Sequence, residues 1–217
     1  MSLFKSRLLT SAHLRPNAIS VLQEQGVLAL VEFRRIIFSE KVIGLRRTIE
    51  SRDQLKGSVR TLQSDFVRFR SIVEKALEVQ DDGQTLIFAG SVAHANALCV
   101  VLKARGCSAD VVSTYTSLED RVRILKQYSE GKLRVLLNKA LLATGYDCPS
   151  VKHVILTSPI SSPILFEQIV GRASRGPKVG GNKTSIVWQL DNNLAMHGKP
   201  NSYHRFRDFD WKQRTAR

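Results

Sequence analysis

Four residues in the last third of the chain are spaced so that a single helix would present them together. Gln168, Gly171, Arg172 and Arg175 stand at i, i+3, i+4 and i+7, which is one face of a helix. Such a face combines an amide, a glycine that permits close backbone approach, and two positive charges one turn apart. Guanidinium groups match phosphate oxygens in pairs and stay charged at physiological pH. The spacing predicts a polyphosphate-binding face, although alone it also fits an ordinary solvated helix.

A carboxylate lies on a predicted turn shortly before this helix. Asp147 follows Gly145 and Tyr146 and precedes Cys148 and Pro149, and the proline bars a helix from continuing. On such a turn Asp147 could accept a ribose hydroxyl, orient an arginine, or form an Asx turn that stabilises only its own loop.

Two predicted strand ends offer further anion sites. Asn138 and Lys139 follow a strand at 134–137 and open a helical turn, while Ser91 follows a strand at 85–89 and precedes a helix. Amide groups at helix N-termini attract anions, and a lysine adds to this. Ser91 could equally be a plain N-cap, which is compatible with a phosphate contact at the same helix end.

Read together, residues 143–149 and 168–175 resemble motifs V and VI of the superfamily 2 helicases and translocases. The residues after the strand at 85–89 resemble motif IV more weakly, and those around 15–40 resemble the linker before the second motor domain. The resemblance covers about residues 15–190. It implies a second RecA-like motor domain of the DEAD/DEAH type, whose motif VI helix supplies arginine fingers to an ATP held mainly by another domain.

The resemblance also assigns roles to particular residues. The catalytic group is Arg172, Arg175 and Gln168. The nucleotide-binding group is Gly145, Asp147 and Gly171. The nucleic-acid-binding group is Ser91, Asn138 and Lys139, which would hold backbone phosphates.

The parts that hold phosphate and metal in such motors are missing from the sequence. No G-x-x-x-x-G-K-[ST] loop occurs, no strand ends in Asp-Glu, and residues 176–182 read as a flexible basic loop. Phosphoryl transfer needs a phosphate cradle, a metal and a positioned water. The resemblance therefore implies ATP with Mg2+ as cofactor, a first helicase domain that supplies the metal ligands, and no metal site in this chain. We expect the chain alone to be inactive as an ATP hydrolase.

One departure bears on the subclass. Gln168, Ile169 and Ser174 stand where RNA-unwinding DEAD-box members usually carry His, Arg and Gly. The Thr-Gly-Tyr-Asp and Arg-Gly-Pro-Lys runs look closer to DNA motors related to restriction-modification and repair translocases. The resemblance thus favours DNA over RNA as the nucleic-acid partner.

Composition agrees with a polyanionic partner. The formal charge is +14 and the pI is near 10.1, and the basic residues are spread along the chain. This distribution predicts a basic face on the folded domain, although a need for solubility would explain the charge as well. Three cysteines without a C-x-x-C pair predict reduced thiols in a cytoplasmic protein, neither a disulfide framework nor a zinc site. No apolar run approaches a membrane span.

The N-terminus is basic and serine-containing, as in transit peptides. We prefer another interpretation, in which the sequence begins inside a larger protein and residues 1–3 come from cloning.

Alternation of short apolar runs with helical periodicity predicts the fold. It indicates an α/β protein with a parallel sheet covered by helices on both faces, and ligands at the carboxyl ends of the strands. Residues 1–80 are predicted as a linker helix, an added strand and a long packing helix, residues 81–195 as the RecA-like domain, and residues 196–217 as a basic polar extension. Apolar spacing over 55–76 fits the packing helix, or less well a coiled coil. The alternative function is a standalone nucleotide- or nucleic-acid-binding module.

Overall fold

The structure, a computed structural model, describes residues 18–37, 53–143, 145–158, 160 and 162–190, and for residues 18, 53–65 and 163 it describes the backbone only. The helices among these residues are α1 (Ala18–Glu24), α2 (Asp53–Val79), α3 (Val92–Ala104), α4 (Leu118–Ser129) and α5 (Pro163–Ala173). The strands among them are β1 (Leu30–Ile36), β2 (Gln84–Phe88), β3 (Ala109–Val112), β4 (Val135–Asn138), β5 (Val151–Leu156) and β6 (Thr184–Leu190). Short 3-10 turns occupy Leu141–Ala143 and Pro177–Val179.

The six strands form one sheet in the order β1-β6-β5-β2-β4-β3, and every neighbouring pair is parallel. The strand predicted near the N-terminus, β1, pairs with the last strand along its whole length, from Leu30 opposite Thr184 to Ile36 opposite Leu190. The predicted parallel α/β fold is confirmed.

Alternate strand residues supply two hydrophobic cores, one on each face of the sheet. In β2, Ile87 belongs to the core beneath α2 and α3, while Leu86 and Phe88 belong to the core beneath α4 and α5. Successive side chains of a strand point to opposite faces, so a continuous apolar strand must be covered on both. The predicted covering of both faces by helices is therefore confirmed.

The long helix α2 packs on its own domain. Ile72, Val73 and Ala76 are buried in the core beneath α2 and α3. Phe66, which the apolar spacing places on the same stripe, is instead 64% exposed. The coiled-coil alternative is not needed to bury the C-terminal half of this helix. The predicted extension at 196–217 and residues 1–17 lie outside the described residues.

Within the described part of the chain, no helix is both long enough and apolar enough to cross a membrane.

Candidate nucleotide and nucleic-acid sites

The last residue of the predicted arginine face lies outside the helix. Helix α5 ends at Ala173, and Arg175 instead forms an antiparallel bridge with Leu28. The flanking hydrogen bonds run from the Ala29 amide to the Ser174 carbonyl (2.9 Å) and from the Gly176 amide to the Val27 carbonyl (3.0 Å). The prediction of one continuous helical face through Arg175 is therefore wrong, because this backbone pairing replaces the next helical turn.

Arg175 nevertheless points at the predicted carboxylate. Its Nε lies 3.0 Å from Oδ1 of Asp147, and the two side chains are 32% and 61% exposed. An ion pair so exposed to solvent contributes about 0–1 kcal/mol. Arg175 is thus positioned by a contact that costs little to exchange for another anion.

Arg172 connects the helix to the turn that carries Asp147. One of its guanidinium nitrogens donates to the Tyr146 carbonyl, and its Nε donates to the Gln168 carbonyl at 3.2 Å. Partial burial, together with the positive charge of Arg175, lowers the pKa of Arg172, and Asp147 partly offsets this. The group remains cationic because arginine does not deprotonate in proteins. Two like charges in a partly desolvated place favour the arrival of an anion.

The two glycines of the predicted site serve different purposes. Gly145 has a φ of +71°, a conformation that favours glycine, and it turns the chain just before Tyr146. Gly171 lies in the last turn of α5, where an added Cβ would meet no atom within 4 Å. No close approach inside the described chain explains this glycine, so the space beside it is open to a ligand or another domain.

A pair of glycines that the sequence reasoning did not assign holds the arginine segment in place. A Cβ on Gly176 would lie 2.4 Å from the Gly26 carbonyl oxygen, and one on Gly181 would lie 2.1 Å from the Arg175 carbonyl oxygen. The Gly181 and Asn182 amides donate back to the carbonyls of Gly176 and Arg175 at 2.9 and 3.0 Å. The segment at 176–182, predicted as a flexible loop, is therefore a hydrogen-bonded turn. The repeated glycines are the only sequence signal for this turn.

The arginine site lies at the amino ends of the strands. Leu28 precedes β1, Asp147 precedes β5, and Arg175 precedes β6. Asn182 joins them, since its side-chain amide donates to the Ser150 and Val151 carbonyls at 3.3 and 3.1 Å. The expectation that these motifs fall at the carboxyl ends is wrong for motif VI, because α5 starts at the carboxyl edge and runs back across the sheet.

The predicted phosphate contacts do lie at the carboxyl edge. Ser91 caps α3, and its Oγ accepts the His94 amide at 3.0 Å. The side chain is exposed, and its hydroxyl hydrogen remains available as a donor. The predicted N-cap and the predicted phosphate contact are therefore compatible at Ser91.

Asn138 does not fit the predicted contact with a phosphate. Its side chain is fully buried, Nδ2 donates to the Ile87 carbonyl (3.2 Å), and Oδ1 accepts the Leu142 amide (3.3 Å). Both ends of the amide are occupied, so the structure corrects this prediction: Asn138 positions the turn after β4.

Lys139 is the exposed group that this turn presents. Among the described residues no ion pair or hydrogen bond involves its side chain. The next residue, Ala140, has a φ of +56°, which costs a non-glycine residue about 1–2 kcal/mol. The local fold therefore holds Lys139, which has no partner among the described residues, at the end of β4 at some cost in backbone energy.

The two sites share one connection. Residues 139–150 leave the carboxyl end of β4 at Lys139 and reach the amino end of β5 through Asp147. On the way Leu142 and Ala143 are buried in the core beneath α4 and α5. The two candidate sites therefore lie at the two ends of one connection between β4 and β5.

No group of three or more potential metal ligands occurs among the residues that the structure describes. The arginine site itself offers cations and one carboxylate, which suits a polyphosphate better than a bare metal ion.

Comparisons with known proteins identify the family of this domain. The family model for the helicase conserved C-terminal domain matches residues 68–177. IRC3 of Saccharomyces cerevisiae, provisionally named an ATP-dependent helicase, is 31% identical over 91 residues, which is 42% of this chain and 13% of that protein. The chain spans about a third or less of the length of the curated relatives it matches.

Solved structures share the fold at low sequence identity. Saccharomyces cerevisiae Dbp5 bound to RNA and ADP BeF3 has a TM-score of 0.52 and 17% identity, covering 85% of this chain and 39% of that one. The helicase MrfA bound to DNA has a TM-score of 0.54 and 17% identity, covering 76% and 22%. With a family model that matches half of its residues and this fold, the chain belongs to the helicase conserved C-terminal domain family, a RecA-like domain of superfamily 2 helicases.

Proposed function

We propose that this chain is the second motor domain of an ATP-dependent nucleic-acid helicase or translocase. In this proposal Arg172 and Arg175 act as arginine fingers on an ATP that a first helicase domain binds. The observation that carries the proposal is the joining of two anion-seeking sites, at opposite edges of the sheet, by the single segment 139–150.

The residues of the arginine site fit a nucleoside triphosphate. Arg175 would exchange its exposed partner Asp147 for a phosphate oxygen, since the existing pair is weak. Arg172, held against the turn by Tyr146, would present its remaining donors to the same group. When bound, MgATP supplies the phosphoryl group and the metal; the arginines stabilise charge that develops during transfer.

Asp147 and the two glycines have supporting roles in this proposal. Asp147 orients Arg175 before the nucleotide arrives and has a second oxygen with which to accept a ribose hydroxyl. Gly171 leaves room for the nucleotide or for the first domain beside α5, and Gly145 sets the turn that aims Asp147. Gln168 is half-buried and lies one helical turn before Arg172, and its side-chain amide would add a hydrogen bond to the bound nucleotide.

Nucleic acid would be held at the other edge. Ser91 and Lys139 offer a hydroxyl and an ammonium group to backbone phosphates, and Asn138 fixes the turn beneath Lys139. Contacts of this kind carry no sequence information and weaken steeply with salt. The departures from the RNA-unwinding motif at Gln168, Ile169 and Ser174 favour DNA as the nucleic acid, as in the restriction-type and repair translocases. We place this activity in the cytoplasm.

ATP turnover measured in two settings tests the proposal. The 217-residue chain alone should release no phosphate above background with or without DNA, while the same chain joined to its first domain should show nucleic-acid-stimulated turnover. Stimulated turnover by the chain alone would refute the proposed division of labour. A natural reading frame without a first motor domain would favour the standalone module.

A further inference from the structure

An exposed tyrosine stands on a rigid turn at the end of β3. Residues 113–116 form the turn: the Thr116 amide donates to the Ser113 carbonyl (3.2 Å), and the Ser113 amide donates to Oγ1 of Thr116 (2.9 Å). The Tyr115 amide donates to Oγ of the buried Ser113 at 3.2 Å, yet Tyr115 itself is 86% exposed. The turn is thus fixed while the aromatic ring it carries projects into solvent.

The register of the strands sets this ring beside the proposed phosphate contacts. Asn138 at the end of β4 is paired with Val112 of β3 on one side and with Phe88 of β2 on the other. The loops that carry Tyr115, Lys139 and Ser91 therefore leave the sheet side by side at its carboxyl edge. The strands that lead into the outer two loops, β3 and β2, are two strand spacings apart, about 10 Å.

The charge beneath the turn suits a polyanion. Arg121 donates from Nη2 to the Ser113 carbonyl (3.1 Å), and no carboxylate of the described residues lies within ion-pair distance of it. Two carboxylates, Glu119 and Asp120, also lie at the start of this helix, where Asp120 is engaged by Arg123 at 2.9 Å and by Ser117. Arg121 thus holds its charge beneath the turn on a neutral carbonyl rather than in an ion pair.

A ring so exposed contributes little to the stability of the fold. It offers solvent a large apolar face, carried by a hydrogen-bonded backbone turn, that a planar partner can cover. Nucleobases stack on such aromatic side chains with little regard to sequence.

We propose that Tyr115 is a stacking platform for a base of single-stranded nucleic acid, at the end of the backbone track formed by Lys139 and Ser91. The inference rests on the proposed grip of this edge on a nucleic-acid backbone and extends it to the base. It makes single strands, whose bases are free, the preferred form at this edge.

Equilibrium titration of the 217-residue chain with a labelled oligothymidylate tests this. Tyr115→Ala should weaken binding by about 5- to 150-fold, the range of one stacked base, whereas Tyr115→Phe should stay within about twofold. The slope of log affinity against log salt should not change, because Tyr115 is neutral. An abasic backbone of equal length should bind wild type and Tyr115→Ala alike.

Two controls distinguish base stacking from a general loss of exposed apolar surface and from a protein contact. Leu118→Ala removes a neighbouring side chain that is 77% exposed and should leave affinity unchanged. If Tyr115→Ala left binding to oligothymidylate unchanged, or weakened the abasic backbone equally, stacking would be overturned. A Tyr115→Ala effect confined to association with the first helicase domain would also overturn it, since the surface would then be a protein contact.

The outcome for Lys139 tells the two proposals apart. A flattened salt slope in Lys139→Ala, with normal affinity in Tyr115→Ala, would leave the backbone grip standing and remove the stacking. If neither variant changed binding, both the grip and the stacking at this edge would be wrong.

Discussion

Nε of Arg175 lies 3.0 Å from Oδ1 of Asp147, 28 positions earlier in the chain. Arg175 reaches it from a segment paired with Leu28, and the turn that carries Asp147 is also held by Arg172. Three stretches that are distant in sequence therefore converge on one exposed ion pair. Each can be perturbed separately, and so can the opposite edge of the sheet.

Two glycine-to-alanine substitutions should change stability in opposite directions. Gly176→Ala places a methyl 2.4 Å from the Gly26 carbonyl oxygen and should cost about 1–3 kcal/mol of unfolding free energy. Gly171→Ala, in open space within α5, should gain about 0.5–1 kcal/mol. Urea denaturation of both variants measures this. A stabilising Gly176→Ala would mean that the arginine segment does not pack closely against Gly26, and a destabilising Gly171→Ala would mean that the space beside α5 is not open.

Gly171→Ala should nevertheless slow ATP turnover in the protein joined to its first domain. The reason is that the methyl would fill space that we assign to the nucleotide or to the other domain. Turnover and stability measured on the same variant check this. A variant that is more stable and fully active would remove Gly171 from the proposed site.

Lys139→Ala should flatten the salt dependence of nucleic-acid binding. One lost phosphate contact lowers the slope of log affinity against log salt by about one unit, here measured between about 50 and 200 mM salt. Lys132→Ala is the matched control, because Lys132 is exposed, pairs with Glu130 and precedes β4 at the opposite edge. An equal change in both variants would point to net charge alone.

Asn138→Ala should destabilise the chain without altering that slope. The substitution removes the side-chain partner of the buried Ile87 carbonyl and of the Leu142 amide, at a cost of about 1–3 kcal/mol in unfolding free energy. Unfolding and binding titrations together decide the point. A lower slope in correctly folded Asn138→Ala would restore the direct phosphate contact that the burial argues against.

The stability of the chain should fall as pH drops below about 6.5, because of His153. Trp188 donates to its Nδ1 (3.2 Å), so the neutral ring carries its proton on Nε2, which lies 3.1 Å from Asp82. Burial lowers the pKa of His153 despite Asp82. The neutral form is favoured in the fold, so this stability is full above the unfolded value of about 6.5 and is lost as pH falls toward the lowered pKa.

Unfolding free energies at several pH values between about 8 and 5 measure the effect. The steepest expected slope from one group is about 1.4 kcal/mol per pH unit. His153→Gln should lose stability overall but show a flatter profile in this window. A wild-type profile as flat as that of the variant would mean that His153 does not govern this range. Asp82, whose pKa Lys152 lowers, should add a separate loss below about pH 4.

Local patterns suffice for the elements and for the parallel sheet. The predicted strands at 85–89 and 134–137 lie within one residue of β2 and β4, and Ser91 caps the helix predicted to follow it. The resemblance to motifs V and VI, rather than spacing, assigns Asp147 and Arg172 to one nucleotide site, and Arg172 does contact the turn that carries Asp147.

Contacts between distant segments account for the errors. The spacing of the motif residues predicts a helix that continues through Arg175, but Arg175 pairs with Leu28 and the helix ends at Ala173. A polar residue at a strand end predicts exposure, but Asn138 is needed inside to satisfy backbone groups of β2 and of the following turn. Neither the bridge partner nor the burial of an end residue is encoded in a local window of sequence.

ATP turnover of arginine variants in the protein joined to its first helicase domain tests the central claim most directly. Arg175→Ala and Arg172→Ala should each lower the rate by about 10^3- to 10^5-fold, and Arg175→Lys should not restore it, since lysine lacks the planar fork. Arg123→Ala, which removes an exposed arginine paired with Asp120, should keep the wild-type rate. Near wild-type turnover in Arg172→Ala and Arg175→Ala would contradict the assignment of these two residues as arginine fingers.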